Sequence, residues 1–156
     1  MVRMVKYKTR LTSEKRVTLE KEICVNRPDI EGVIRSPENV AEIAMGYLRM
    51  HEEPEEYMYM ICMNTKNRII GVFEISHGNV NSSIVGTREV FQKALLANAV
   101  SIILIHNHPS GDVTPSREDV NITKRLVEAG NLLGVQVLDH IIVGDTYTSL
   151  KEKGYV

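Results

Sequence analysis

The stretch Ile103–Val120, ILIHNHPSGDVTPSREDV, decides how this chain is read. With Ser101 and Ile102 before it, the run SIILIH is short and β-branched, the composition of a buried strand. Residues two apart on a strand point to the same side, so His106 and His108 can present their rings to one point while Asn107 faces away. A loop of Pro, Ser, Gly, Asp and Thr follows. Ser116 then opens a long helix that carries Val120, Ile122, Leu126 and Val127 at core spacing and fades near Gly134. Ser116 and Asp119 form the S-x-x-D start of a capping box, and a carboxylate in the first turn is favoured by the helix dipole. Two imidazoles and one carboxylate, with a further position for water, are a suitable donor set for catalytic Zn²⁺. Each piece also has a plain structural alternative, since strand-end histidines often bond backbone carbonyls and Ser116 with Asp119 would cap the helix in any case. Their convergence at one place favours the metal site.

Toward the N-terminus, Val5–Leu11 and Val17–Val25 have mixed alternation and read as two strands, with Pro28 to Arg35 as a break. SPENVAEIAMGYLRM then reads as a helix, with Ser36 at the N-cap, Pro37 at the first helical position and Val40, Ile43, Ala44 and Leu48 on one face. EYMYMICMN and RIIGVFEIS flank the polar turn Thr65, Lys66, Asn67 and predict a central hairpin. A short strand is expected around Ser83 to Val85, and then a helix capped by Thr87, with Val90, Phe91, Ala94 and Leu95 on one face. VQVLDHIIVG closes the chain as a strand. The order β-β-α-β-β-α-β-α-β predicts a mixed α/β or α+β domain, its mixed sheet flanked by helices.

The chain has 156 residues, most simply one domain, with 43% apolar and 25% charged residues, as in ordinary globular proteins. Cys24 and Cys62 are not spaced as a zinc pair, and no signal peptide or long apolar run is present, so a reducing, cytoplasmic setting without a membrane is expected. The net charge of −1 is uneven: Met1–Arg35 carries nine Lys/Arg against five Asp/Glu, and the remainder ten against fifteen. A basic lead-in could touch nucleic acid. Without an aromatic platform or a long Lys/Arg cluster, it reads rather as a solvated strand pair.

His106, His108, Ser116 and Asp119 follow H-x-H, seven residues, Ser, two residues, Asp, a pattern similar to that of the JAB/MPN (JAMM) metalloproteases. More narrowly, HNHPSGDVTPSREDV with LDHIIVG, TREVFQKALLANA and NTKNRIIGVFEISHG resembles the RadC-like JAB domain. The resemblance implies a JAB/MPN, cytidine-deaminase-like core over residues 36–156, preceded by a short basic lead-in over 1–35 whose strands pack on it. It also implies one Zn²⁺ per chain held by His106, His108 and Asp119, with Ser116 donating to the oxyanion and a glutamate from elsewhere acting as general acid/base. Glu56, directly before an apolar strand, matches that position, with Glu55 one residue away as the alternative. The implied function is a zinc-dependent metallohydrolase that cleaves a peptide or isopeptide bond in a peptide or protein substrate.

Other readings stay beside it. RadC-like proteins carry a DNA-repair association, which would make the chain a DNA-associated accessory domain or protein-interaction module whose metal is mainly structural. No helix-hairpin-helix segment is evident upstream, which counts against direct DNA binding. A catalytically decayed module would have lost a ligand or Ser116, and all are present. Exposed sheet edges are compatible with a homodimer. The string HNH is not the dispersed nuclease motif, HEEPEE at His51 is not H-E-x-x-H and carries Pro54, and the deaminase P-C-x-x-C is absent. Asp139 and His140 match a recurrent segment of the family, although a strand histidine is more often structural.

Overall fold

The computed structural model of the chain describes residues 2–27, 32–78 and 85–156. Among these residues seven strands form one mixed sheet: β1 (Val2–Leu11), β2 (Val17–Arg27), β3 (Tyr57–Met63), β4 (Ile69–His77), β5 (Ser101–Asn107), β6 (Gln136–Val143) and β7 (Tyr147–Ser149). Their spatial order is β2-β1-β4-β3-β5-β6-β7. The β1/β4 and β5/β6 pairs are parallel and the other neighbours antiparallel. The helices are α1 (Pro37–Glu42), α2 (Thr87–Leu96) and α3 (Arg117–Leu133). The mixed α/β class expected from the element order is the one observed.

Every residue of β5 is buried, because the strand lies between β3 and β6 with apolar layers on both faces. Ile102 and Leu104 pack with Met58, Met60, Phe73, Phe91, Ile122 and Leu126 under α2 and α3. Ile103 and Ile105 join Val40, Ile43, Ile61, Val72 and Ile141 on the α1 side. The period of two therefore turns His106 toward the α2/α3 layer. The predicted hairpin is present as β3 and β4, and both strands are internal to the sheet. On the β1–β2 hairpin the lead-in cations face carboxylates: Lys6 lies 3.3 Å from Glu22 and 3.2 Å from Glu74, and Lys8 and Arg10 both pair with Glu20.

Three local expectations need correction. The helix expected from Ser36 through Met50 keeps α-form only to Glu42; a π-turn follows over Ile43–Tyr47, where Leu48 N–H reaches back to Ile43 O at 3.0 Å, and Arg49 turns left-handed at φ 53° before a 3₁₀ turn over Met50–Glu52. The extra residue in the turn lets Ile43, Ala44 and Met50 all reach the core and leaves Leu48 half-buried. Ser36 sits at the N-cap without a side-chain cap bond, and at α2 Gly86 occupies the cap, with Thr87 as the first helical residue. β7 was not anticipated, being three residues after a Gly-Asp turn. The strand expected around Ser83 to Val85 falls on residues of which only Val85 is described. No helix among the described residues is long and apolar enough to cross a membrane.

The two cysteines differ sharply. Cys24 is exposed, whereas Cys62 is fully buried and its thiol is pushed up to about 12 by desolvation. Titration of the native protein with an aromatic disulfide reagent is expected to label Cys24 quickly and Cys62 only after unfolding; two fast thiols would contradict the packing of β3.

Candidate metal centre

The site forms where the C-terminal end of β5 meets the first turn of α3. His106 is the penultimate residue of β5, fully buried, and His108 lies just past the strand, half-buried. Their Nε2 atoms are 2.8 Å apart. Asp119 is 3% exposed; its Oδ1 lies 3.1 Å from His106 Nε2 and its Oδ2 3.4 Å from His108 Nε2. The capping box explains why the helix starts here: Ser116 Oγ accepts from Asp119 N–H at 3.1 Å, and Asp119 Oδ2 accepts from Ser116 N–H at 2.7 Å. Asp119 thus anchors its own helix through Oδ2, which also faces His108, while Oδ1 faces His106. Ser116 Oγ uses a lone pair in the cap, which leaves its O–H able to donate.

His108 Nδ1 lies 2.7 Å from the carbonyl oxygen of Asp112, which can only accept, so the proton sits on Nδ1 and the Nε2 lone pair faces the site. Protonating that Nε2 lets it donate to Asp119, and this hydrogen bond raises the pKa of His108 above its ordinary value, against the effect of burial. For Asp119, burial opposes ionisation, but the adjacent His106 and His108 rings outweigh it and hold the carboxyl far below the usual range. Behind the pair, His106 Nδ1 lies 2.8 Å from His140 Nε2, and His140 Nδ1 lies 2.6 Å from Thr123 Oγ1. His140 is fully buried, and desolvation, followed by the neighbouring His106, lowers its pKa well below normal.

The three ligand atoms lie within 4.8 Å of one another. Two imidazole nitrogens and a carboxylate converging in so small a space repel unless a proton or a cation lies among them, and this nitrogen and oxygen set fits a divalent metal ion. A cleft of about 300 Å³ opens beside them, lined by Glu56, His108, Pro109, Ser110, Ser116, Glu118 and Asp119. Of the two candidate glutamates, Glu56 lines this cleft, whereas the exposed Glu55 pairs with His77 and lines an adjoining hollow that Glu56 and Pro109 share. Asp139 stays away from the centre: it accepts from Ser149 Oγ at 2.6 Å, His140 N–H at 2.7 Å and Lys151 N–H at 3.0 Å.

Asn107, the middle residue of H-x-H, has a role that local sequence did not disclose. Its Oδ1 accepts from Tyr57 N–H at 2.7 Å and its Nδ2 donates to Glu55 O at 2.9 Å, so its carboxamide grips the backbone on both sides of Glu56. Asn107 is 1% exposed. Asn107→Ala is expected to cost about 1–3 kcal/mol in a urea titration, the usual penalty for stranding buried polar groups. A loss near zero would show that water takes over both bonds.

A mixed sheet sandwiched by helices, with a His-His-Asp group at the end of a central strand, defines a JAB/MPN fold with a candidate metal centre. Residues 34–155 match the RadC-like JAB domain, and the chain belongs to that family. A UPF0758 protein of Caldanaerobacter subterraneus subsp. tengcongensis is 55% identical over 123 residues, which cover 78% of this chain and 52% of that protein. The corresponding protein of Geobacillus is 52% identical over 125 residues, covering 80% and 54%, and UPF0758 protein YsxA of Bacillus subtilis is 50% identical over 125 residues, covering 80% and 53%. The chain therefore spans about half the length of these curated relatives.

Proposed function

We propose that this chain is a zinc-dependent hydrolase that uses water to cleave a peptide or isopeptide bond. The observation that carries the reading is the convergence of His106 Nε2, His108 Nε2 and the Asp119 carboxylate beside a cleft that His108, Asp119, Glu56 and Ser116 line. His106, His108 and Asp119 would hold the ion, and when bound it would supply Lewis acidity, polarising a carbonyl and acidifying water. Glu56 takes a proton from the attacking water and passes it to the leaving amine. The Ser116 O–H donates to the oxygen on which negative charge develops, while its Oγ stays fixed by the cap.

Elemental mass spectrometry of the purified protein provides the test. About one zinc per chain is expected in the wild type and little in Asp119→Ala, as for a site with three protein ligands. Protein that takes up no zinc even when supplied with it would overturn the reading.

A further inference from the structure

We propose that Thr123 and His140 are positioning residues that hold His106 in its Nδ1–H tautomer, so that its Nε2 lone pair faces the metal. The inference rests on the metal reading above, and the protons can be placed one by one. Thr123 Oγ1 lies 2.6 Å from the backbone carbonyl oxygen of Asp119, which has no proton to give, so the hydroxyl donates there. Its single proton is then used. At 2.6 Å from His140 Nδ1, Thr123 Oγ1 accepts, and the proton of that contact belongs to His140 Nδ1. A ring sealed this completely from water is held neutral and carries one N–H, so His140 Nε2 is a bare lone pair. At 2.8 Å it accepts from His106 Nδ1, which leaves His106 Nε2 unprotonated and aimed at His108 and Asp119.

The chain is sealed from solvent. His106, Thr123 and His140 are each 0% exposed, so bulk water has no access to reset the direction of these bonds. A side-chain acceptor is needed at this place because β5 is paired on both edges, with β3 and β6, and its neighbouring backbone carbonyls serve the sheet ladders. His108, beyond the end of the strand, can use the Asp112 carbonyl instead. The chain also begins and ends on ligand residues: it leaves the side chain of His106 on β5, crosses His140 on β6 and returns through α3 to the main chain of Asp119. Ring orientation and helix position are thereby set by one run of bonds. Outer partners of this kind commonly contribute about 10–100-fold to metal affinity.

Long-range ¹H–¹⁵N correlation spectra of the metal-free protein read the tautomer directly, and zinc affinity is measured by competition with a chromophoric chelator. The wild type is expected to show His106 protonated at Nδ1 alone. Thr123→Val keeps size and branching but removes the hydroxyl; it is expected to show mixed tautomers at His106 and His140 and about 10–100-fold weaker zinc binding. Thr123→Ser keeps the hydroxyl and is expected to stay close to wild type in both. A packing role would rank the two variants the other way, because serine loses the methyl group that valine retains. Nε2–H at His106 in the wild type, or wild-type affinity in Thr123→Val, would overturn the inference while leaving the metal reading intact. Wild-type protein that binds no zinc would overturn both. If Thr123→Val does not fold, the wild-type spectrum and the affinity of Thr123→Ser decide.

Discussion

Glu56→Gln is expected to retain zinc and the fold while turnover of a peptide or isopeptide substrate falls about 10²–10⁴-fold, the usual contribution of a positioned acid/base. Glutamine has nearly the same shape but cannot take up and return a proton. Glu56 stands immediately before β3, and the Asn107 carboxamide fixes the main chain on either side of it by bonds that the substitution does not touch. Zinc content and the urea midpoint serve as controls. Unchanged turnover would remove Glu56 from the role; loss in Glu55→Gln alone would transfer it to Glu55, which would first have to leave its pairing with His77.

His108→Ala should remove most of the response of stability to zinc. At a free zinc concentration about 100 times the Kd, a protein that binds only when folded gains about 2.7 kcal/mol against unfolding. Removing one of three protein ligands should forfeit most of that gain at the same zinc level. The pH dependence has a definite sign. His108 has its pKa raised in the folded, metal-free chain, chiefly by Asp119. Its contribution to stability is therefore fully present below the unfolded histidine value of about 6.5 and is lost as pH rises through the folded pKa. Zinc needs the same Nε2 lone pair, so its affinity runs the opposite way, falling about tenfold per pH unit below the folded pKa for each proton displaced. His108→Ala removes both slopes. Zinc affinity that is flat between about pH 5 and 8 would contradict the assignment of His108 as a ligand.

The parts of this molecule legible in the sequence are those whose partners are close along the chain. The short β-branched run SIILIH and the helical spacing after Ser116 located β5 and α3, and the Ser116–Asp119 box is present with both of its bonds. Between Ile43 and Met50 the local pattern did not suffice, because the π-turn serves a core made from distant strands. Asn107 shows the same limit. Its partners are backbone atoms about 50 residues away, brought alongside by β3–β5 pairing, and no side-chain pattern records them. Thr123 reads as one more residue on a helix until β6 places His140 against it.

The grouping of the donors along the chain bears on the order in which the centre can assemble. His106, His108 and Asp119 lie within roughly a dozen residues of one another, so bringing them together closes only a short loop and costs little chain entropy. Glu56 comes from much farther away and reaches the cleft only when β3 docks along β5. On the proposed chemistry, a chain caught part-way through folding could grasp a cation but could not deliver the carboxylate that moves the proton. Immature molecules would then be metal-loaded and inert, and the power to cut amide bonds would arrive only once β3 lies along β5.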